Sequence, residues 1–377
     1  MLGMLAEGYR IRGEHGEYTV LRHFKTGGFG ELYLLSGDLI GKIPRLDVVI
    51  QVGFEKVRGR FETEKGVLKT VKGERHVVRF VDFGYVRVQG YELPVIIMEF
   101  VKGPTLRDYV EKNGPLEGRS ALLFARALLE AVRSVNEKGY VLRDLKPSNI
   151  ILRGGDPSDP VVVDFGCALY HEVTQLPENY PDWRISSGSY THPDLSSKGG
   201  VEFYYDVYSY GATLYYALTG EHPNNPEFRK CGVFAEVVKK CMLGGLGHTS
   251  QIVLPGGKVR IRVEGSEYTF DVFKCGGKIL IGRDRSSLRV VAVCGDERVT
   301  LADDVEQYIS RLPEGHLLVD VARMKVVRLG KNKPALYRGG RWVVVRGEEA
   351  IGLRERVALS YGEVSGTTYL EMELAVE

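Results

Sequence analysis

Four polar residues in the middle of the chain have types and a spacing that suit phosphoryl transfer. Asp144, Lys146 and Asn149 lie within one short run, and Asp164 opens an Asp-Phe-Gly triplet after a loop. In such a set one carboxylate can orient an attacking hydroxyl, and the lysine can neutralise the transferring phosphoryl group. The asparagine and the second carboxylate can bind Mg²⁺. The pattern therefore indicates chemistry that depends on positioning and charge neutralisation.

A glycine-rich hairpin nearer the N-terminus adds a second set of residues. Gly27, Gly28 and Gly30 lie between two predicted strands, where glycine would let backbone N–H groups approach phosphate oxygens. The next strand supplies Lys42, and the helix after it supplies Glu64, which could hold that lysine over a nucleotide. Each feature alone is weak evidence, because glycine hairpins are common and an isolated strand lysine is usually a solvated edge charge.

The hydrophobic patterns predict the elements that must position these residues. Short alternating strands with glycine turns, from residue 18 to about 60, predict an antiparallel sheet. A helix around 61–71 and two more strands follow. Further along the chain the spacing is helical over 121–135 and 206–218, and a glycine stands after each segment to end the helix. We therefore predict a sheet-rich lobe followed by a helix-rich lobe.

In order and spacing these motifs resemble the R-D-L-x-x-x-N and D-F-G signatures of eukaryotic-type serine/threonine protein kinases. The resemblance covers about residues 18 to 245. It implies an α+β, bilobal protein-kinase fold, with an antiparallel sheet in the N-lobe and a shortened helical C-lobe. It also implies ATP and Mg²⁺ as cofactors and proteins as substrates. Lys146 after Asp144, and Ser189 after Gly188, resemble the serine/threonine-specific branch more than the tyrosine branch.

The resemblance assigns roles residue by residue. Asp144 matches the catalytic base, and Lys42 and Glu64 match the phosphate-binding lysine and its helix partner, with Glu62 as a less well spaced alternative. Lys146 matches the lysine beside the base, and Asn149 and Asp164 match the two metal ligands. Gly27, Gly28 and Gly30 match the phosphate-loop glycines, and the backbones of Glu99 and Val101 should contact adenine. Asp206 matches the aspartate that braces the catalytic loop.

Several positions depart from the family pattern without removing a catalytic group. Lys25 stands where the phosphate loop usually has its first glycine, and Leu142 replaces the histidine before Arg143. His192-Pro-Asp194 stands in for Ala-Pro-Glu. It keeps a carboxylate, but the arginine partner that the family uses is not recognisable in the sequence.

An arginine directly before the catalytic aspartate is typical of kinases whose activation segment is organised by an added phosphate, since a buried arginine needs an anionic partner. Arg143 has this position. Four hydroxyl residues in the corresponding segment are candidate phosphorylation sites: Ser186, Ser187, Ser189 and Thr191. For any single one of them an ordinary loop residue is the commoner outcome.

The character of the chain changes near residue 245. Glycines cluster at 244–247 and again at 256–257, and the stretch 246–255 is therefore predicted to be a linker, so that 1–245 and 256–377 are the predicted domains. Recurring short strands with turns between them predict a β-sandwich in the second domain. Four residues near strand ends resemble the phosphate-reading loops of forkhead-associated (FHA) domains: Arg283, Ser310, Arg311 and Asn332.

The FHA resemblance implies binding of a phosphothreonine peptide, with the arginines and the serine on the phosphate and the asparagine on the peptide backbone. The match is imperfect. Four residues separate Arg311 from His316 where the family has one, and the run before Asn332 lacks the usual serine. A sandwich that only completes or docks the kinase lobe is the alternative.

Composition sets the broad class. Of the 377 residues, 44% are hydrophobic and 27% are charged, which are ordinary values for a soluble globular chain. The formal net charge of +2 leads us to expect neither a nucleic-acid nor a membrane partner. The five cysteines are scattered, and no apolar run reaches the roughly 18 residues of a membrane span. We therefore predict reduced thiols and a cytoplasmic location.

Functions of different classes remain open. The first is an active serine/threonine kinase that phosphorylates proteins, itself included, and whose C-terminal domain binds a phosphothreonine-containing protein or its own phosphorylated segment. The second is a nucleotide-binding pseudokinase, a scaffold that acts as a phosphopeptide-binding module; the altered phosphate loop and the missing histidine favour it. A small-molecule kinase of related fold is disfavoured by Lys146 and the Asp-Phe-Gly triplet.

Overall fold

The structure is a computed structural model of the whole chain. The residues that it describes are 4–172, 188–198, 201–255, 257–271, 278–284, 286–287, 289–303, 309–312, 315–321, 324–351, 354–362, 364–365 and 367–376.

The chain divides into two compact units. The first comprises Met1–Pro115, Phe124–Pro226 and Lys239–Ile252, and the second comprises Leu116–Leu123, Glu227–Val238 and Val253–Glu377. The assignment of domains to 1–245 and 256–377 stays a prediction, since two short segments of the first range group with the second unit.

The first unit begins with a six-stranded antiparallel barrel. Its strands are β1 (Arg10–Gly13), β2 (Glu17–Thr26), β3 (Gly30–Leu35), β4 (Leu39–Pro44), β5 (Phe80–Val88) and β6 (Tyr91–Glu99). The order around the barrel is β1-β2-β3-β4-β6-β5, and β1 closes it by pairing with both β2 and β5. The sequence predicts the antiparallel sheet but not its closure, because a strand as short as β1 gives no periodic pattern.

Asp82, on β5, fastens the turn that follows β1. It is fully buried and accepts hydrogen bonds from the backbone N–H groups of His15 and Phe83 and from the Tyr18 hydroxyl, at 2.8 to 3.0 Å. Burial alone would raise the pKa of Asp82, but these donors together with the His15 ring lower it to about 2. The carboxylate therefore stays ionised, and a buried charge with this many donors stabilises the closed barrel.

Two helices, α1 (Leu46–Val52) and α2 (Phe54–Thr70), connect β4 to β5. The helix predicted around 61–71 is present as α2, but it begins earlier, because charged residues over 55–60 hide the apolar pattern of its first turns. The buried face of α2 carries two charged residues among hydrophobic ones, Arg60 and Glu64. Charged side chains are rarely buried unless they are paired, so both need partners across the interface.

Helices dominate residues 106–243, most of which belong to the first unit. They are α3 (Leu106–Asn113), α4 (Gly118–Glu137), α5 (Pro193–Lys198), α6 (Phe203–Thr219) and α7 (Ala235–Leu243); the first turns of α4 and α7 group with the second unit. Four short strands form two hairpin-like pairs between them: β7 (Tyr140–Val141) with β10 (Leu169–Tyr170), and β8 (Ile150–Leu152) with β9 (Pro160–Val162). Because Ile150 pairs with Val162, the residues just before β8 and just after β9 lie at the same end of that pair.

The described part of Val253–Glu377 contains strands and no helix of the α type. The strands are β11 (Lys258–Val263), β12 (Ser266–Asp271), β13 (Lys278–Arg283), β14 (Arg289–Cys294), β15 (Glu297–Asp303), β16 (Leu317–Asp320), β17 (Lys325–Arg328), β18 (Ala335–Arg338), β19 (Arg341–Val344), β20 (Glu348–Ala350), β21 (Arg354–Tyr361) and β22 (Thr368–Val376). They form two six-stranded antiparallel sheets, of order β12-β11-β22-β21-β18-β19 and β15-β14-β13-β16-β17-β20. Buried residues of both sheets, such as Ile261 and Ile281, share one hydrophobic core.

The sequence predicts this β-rich region correctly in class but misses several strands, notably β18 and β21. Both strands have charged residues at an end and small residues among the apolar ones. The alternation of buried and exposed side chains is therefore recognisable only once the neighbouring strand shows which face is buried. Cys294, at the end of β14, is disulfide-bonded, whereas Cys167, Cys231 and Cys241 are free thiols. The prediction of reduced thiols throughout is therefore wrong at Cys294, because sequence spacing alone does not report which cysteines are neighbours in space.

Among the described residues, no helix combines the length and the apolar character that crossing a membrane would need.

Candidate active site

Lys42, on β4, is the centre of a charged cluster inside the first unit. Its Nζ lies 2.6 Å from Oε1 of Glu64 on α2 and 2.9 Å from Oδ1 of Asp164, which follows β9. Burial alone would lower the pKa of Lys42, but the carboxylates of Asp164 and Glu64 raise it above its ordinary value. The lysine is therefore a permanent cation, and the Glu64 partner predicted from the sequence is the one in contact. Glu62, the alternative, pairs with Lys65 instead.

Asp164 is held on one side and open on the other. Its Oδ1 accepts hydrogen bonds from Lys42 Nζ and, at 3.1 Å, from the Gly166 backbone N–H. Burial opposes ionisation, yet Lys42 holds the pKa of this carboxyl well below its usual range. Oδ2 accepts no hydrogen bond from the described residues, and 42% of the side chain is exposed. An ionised carboxylate with one free oxygen is suited to binding a hard cation.

The loop between β7 and β8 carries the second half of the cluster. Lys146 Nζ donates to both carboxylate oxygens of Asp144, at 2.8 and 3.0 Å. Asn149 Nδ2 donates to the backbone carbonyl of Asp144 at 3.0 Å and to its Oδ2 at 3.2 Å. These bonds fix the orientation of the Asn149 amide, so that its oxygen is free to act as a ligand.

Asp206, on α6, braces this loop from behind. It is fully buried and accepts hydrogen bonds from the backbone N–H groups of Leu142 and Arg143 and from Asn136 Nδ2, at 2.8 to 3.0 Å. Burial raises the pKa of Asp206 to about 6, and the two backbone donors oppose that rise. The brace holds Arg143 at a φ of 67°, a left-handed backbone conformation that a residue with a side chain adopts only under such constraint.

The glycine-rich hairpin joins β2 to β3 beside Lys42. A Cβ at Gly30 would lie 3.0 Å from the Ile43 carbonyl oxygen and 3.3 Å from the Lys42 side chain, so the close approach of this strand requires glycine. The loop closes through bonds from the Gly27 N–H to the Gly30 carbonyl, 2.8 Å, and from the Arg45 N–H to the Phe29 carbonyl, 3.1 Å. Gly28 is exposed, with room beside it for a ligand.

The predicted adenine contacts, Glu99 and Val101, lie at the end of β6 and just after it. The Glu99 N–H already donates to the Arg79 carbonyl at 3.0 Å, and the Glu99 carboxylate pairs with Arg153 at 3.2 Å. The Glu99 carbonyl is therefore the backbone group of this residue that can accept a hydrogen bond from adenine. Val101 is buried, and its N–H donates no backbone hydrogen bond within the described residues.

The donor set fits the groups that the sequence implies. Asp164 Oδ2 and the Asn149 amide oxygen are hard oxygen ligands of the kind that Mg²⁺ takes together with substrate phosphates. Lys42 and Lys146 are cations that a polyphosphate can use. Gly27 and Gly30 close the hairpin through a backbone hydrogen bond, which leaves the exposed backbone of Gly28 for phosphate oxygens.

The candidate phosphorylation sites fall into two groups. Ser186 and Ser187 lie outside the described residues. Ser189 is half-buried, and its carbonyl accepts a hydrogen bond from the Tyr208 hydroxyl at 3.2 Å. The Thr191 side chain is buried, with 7% of its surface exposed.

In the second unit, three loops meet at one end of the sandwich. The Arg283 N–H donates to the Ser310 carbonyl and the Leu312 N–H to the Arg283 carbonyl, each at 2.9 Å, which sets Arg283 beside Arg311. Ser310 and Asn332 are half-buried, Arg311 is exposed and Arg283 is buried.

Gly330 brings the third loop to Ser310. A Cβ at Gly330 would overlap Ser310 Oγ and would lie 3.2 Å from His316 Nδ1, so only glycine allows this approach. Asn332 follows two residues later. His316 is fully buried, and its Nδ1 accepts from the Ser310 N–H at 3.2 Å. Ser310 and His316 are therefore in contact although four residues separate Arg311 from His316.

Sequence reasoning missed two residues near the first site. Tyr204 donates its hydroxyl to Asp194 at 3.1 Å and is a partner of the carboxylate whose usual arginine is not recognisable. Arg60 contacts two segments of the site from α2, the glycine-rich hairpin and residues 166–167. No motif marks either residue. For Arg60 the only signal was a charge one helical turn before Glu64, on the face that had to be buried.

The comparisons with known proteins agree with this geometry. A sequence model of the protein kinase domain matches residues 18–242. Serine/threonine-protein kinase pkn2 of Myxococcus xanthus is 30% identical over 220 residues, which are 55% of this chain and 25% of that protein. For PknB of Mycobacterium leprae the identity is 30% over 203 residues, 52% of this chain and 31% of that protein.

PrkC of Bacillus subtilis is 28% identical over 217 residues, 56% of this chain and 32% of that protein. The chain thus spans between a quarter and a third of the length of these curated relatives.

Proposed function

The chain belongs to the protein kinase family, and we propose that it transfers the γ-phosphoryl group of ATP to serine or threonine side chains of proteins, its own included. The observation that carries this proposal is the complete ionic cluster. Lys42 contacts both Glu64 and Asp164, while Asp144, Lys146 and Asn149 are bonded to one another. A scaffold that binds nucleotide without transferring phosphate does not need this arrangement.

Each residue has a task in the transfer. Mg²⁺ bound to the nucleotide neutralises the charge that develops on the phosphoryl oxygens. Lys42 binds phosphate oxygens, and Glu64 keeps its ammonium in place. Asp144 accepts the hydrogen bond of the substrate hydroxyl and receives its proton, while Lys146 stabilises the negative charge beside it. Asn149 and Asp164 supply the oxygens that hold the metal.

The acceptor class is tested by incubating the full chain with Mg²⁺, ATP and an added basic protein, followed by phosphoamino acid analysis. We expect phosphoserine and phosphothreonine, because Lys146 lies directly beside the base and leaves space for a short hydroxyl side chain. Phosphotyrosine alone, or phosphate transfer to sugars and not to protein, would contradict the assignment.

We propose further that the β-sandwich is an FHA-like domain that binds a phosphothreonine peptide. Two six-stranded sheets with the loops of Arg283, Ser310–Arg311 and Gly330–Asn332 at one end support it. Arg311 is exposed, and Ser310 is half-buried between the other two loops. A phosphate dianion at this position could accept hydrogen bonds from the Arg311 guanidinium and the Ser310 hydroxyl. The partner would be a phosphorylated protein or a phosphorylated segment of this chain.

Replacing the phosphate donors should remove this binding. The phosphatase-treated full chain is presented with a degenerate phosphothreonine peptide library and with its unphosphorylated counterpart. We expect Ser310→Ala and Arg311→Ala each to weaken binding about tenfold or more, since a hydrogen bond to a charged group contributes about 1.5–3 kcal/mol.

Arg341→Ala, at an exposed position on β19, is the matched control and should bind as the wild type does. A wild type that does not prefer the phosphorylated library, or an Arg311→Ala variant that binds equally well, would refute the phosphopeptide proposal while leaving the kinase proposal untouched.

A further inference from the structure

Arg60, on the buried face of α2, contacts two parts of the active site at once, the glycine-rich hairpin and the segment that follows Asp164. Its side chain is largely buried, with 8% of the residue exposed. The guanidinium carbon lies 3.7 Å from the centroid of the Phe29 ring, at the tip of the glycine-rich hairpin. Nε donates to the Gly166 carbonyl at 2.7 Å, and Nη2 donates to Cys167 Sγ at 3.3 Å.

The partners of this guanidinium are unusual for a buried arginine. Within the described residues no carboxylate lies within ion-pair distance of it, and its direct contacts are an aromatic ring, a carbonyl and a sulfur. Its charge still acts on the nearby carboxylates of Glu64 and Asp164, whose pKa values it lowers against the effect of burial. Burial raises the pKa of Cys167 to about 12, so the thiol is neutral. A desolvated guanidinium gains most from a stacked ring, because water no longer competes for its face.

The three contacts join separate parts of the site. Phe29 belongs to the glycine-rich hairpin, which in the proposed function covers the phosphates of the nucleotide. Gly166 follows Asp164, and its N–H bonds to Asp164 Oδ1. Arg60 lies one helical turn before Glu64, which holds Lys42. The Arg60 side chain therefore contacts the glycine-rich hairpin and donates a hydrogen bond to the segment that follows Asp164. Arg60 itself belongs to the helix that carries Glu64.

We propose that Arg60 is a positioning residue that couples closure of the glycine-rich loop to the placement of Asp164. With Phe29 stacked on it, the guanidinium plane is fixed, and its Nε is aimed at the Gly166 carbonyl. When Nε donates to the Gly166 carbonyl, the face of the guanidinium is oriented so that the Phe29 ring can stack on it. Nucleotide binding under the closed loop and correct placement of Asp164 thus support each other. This inference rests on the proposed kinase function.

A double-mutant cycle between Phe29 and Arg60 tests the coupling. The variants are Phe29→Leu, Arg60→Gln and the double variant, with KM for ATP and kcat measured at saturating Mg²⁺ and the affinity for Mg²⁺–ADP measured by calorimetry. We expect Arg60→Gln to raise KM and weaken ADP binding about tenfold and to lower kcat about tenfold. Phe29→Leu should raise KM several-fold with little change in kcat.

The decisive expectation is non-additivity. In the Arg60→Gln background, Phe29→Leu should have almost no further effect on KM or on ADP affinity, and Phe29→Tyr, which keeps the ring, should behave as the wild type. Arg58→Gln, an exposed arginine on the same helix, is the matched control for the loss of charge. If Arg60→Gln fails to fold, Phe29→Leu against Phe29→Tyr still tests whether the ring contact contributes to nucleotide affinity.

The outcomes separate the two proposals. A wild type that neither transfers phosphate nor binds Mg²⁺–ADP would overturn the proposed function itself. A wild type that is active, with additive effects of the two substitutions or with Arg60→Gln kinetics equal to those of Arg58→Gln, would overturn the role of Arg60 alone. If the wild type binds ADP without transferring phosphate, the cycle in ADP affinity still decides the coupling.

Discussion

Asp164→Asn is expected to lower the rate of phosphoryl transfer by about three orders of magnitude or more while leaving the fold intact. The substitution removes the negative charge that a metal ion needs, and charge neutralisation supplies most of the catalysis in this reaction. In the wild type, Lys42 Nζ and the Gly166 N–H donate hydrogen bonds to Asp164 Oδ1, and the asparagine oxygen of the variant can accept the same two hydrogen bonds. Lys42 also keeps its contact with Glu64, so no buried cation is left without a partner.

The measurement is the initial rate of phosphate incorporation with Mg²⁺ and ATP, together with thermal unfolding of both proteins. Asp38→Asn is the matched control, because it makes the same chemical change at an exposed turn of the first unit, where the Asp38 carboxylate forms a surface pair with Lys102. Retained turnover in Asp164→Asn would refute the metal-ligand assignment. A large drop in melting temperature would mean that the aspartate is structural instead.

Asp206→Ala is expected to cost about 3 kcal/mol or more of the free energy of unfolding and to abolish activity. Three donors, the N–H groups of Leu142 and Arg143 and the Asn136 amide, lose their acceptor in a site without solvent. That is a large fraction of the stability of a typical domain. The loop of Asp144 loses its support at the same time, so the rate should fall even in the molecules that remain folded.

Urea unfolding with a probe of the first unit gives the free energy, and kinase assays well below the unfolding midpoint give the rate. Asp296→Ala, the same change at an exposed turn between β14 and β15, should alter neither. Unfolding of Asp206→Ala at the wild-type midpoint would show that the three hydrogen bonds do not contribute to stability, contrary to our account.

The residues of the ionic cluster are predictable from sequence because their chemistry restricts them to a few types at fixed spacings. Lys42, Glu64 and Asp164 lie far apart in the chain, but their elements follow from periodicity, and the family resemblance supplies the pairing. Arg60 and Tyr204 are different. A hydrogen bond or a stacked ring can be made from many positions, so nothing in the sequence alone indicates that Arg60 contacts Phe29 or that Tyr204 contacts Asp194.

The fold shows the same division. Long periodic helices such as α4 and α6 are visible in the sequence, since a continuous apolar face repeats over several turns. The closing strand β1 and the strands β18 and β21 are not, because their stability comes from neighbours distant in the chain. The disulfide at Cys294 likewise depends on which residues are neighbours in space, which composition does not report.

The most direct test of the central claim is autophosphorylation of the purified, phosphatase-treated chain, followed by intact mass spectrometry with Mg²⁺ and ATP and, in parallel, with EDTA. We predict phosphate incorporation only in the presence of both Mg²⁺ and ATP, on serine or threonine. An unchanged mass, in a protein that still binds Mg²⁺–ADP, would contradict an active kinase and would favour the nucleotide-binding scaffold.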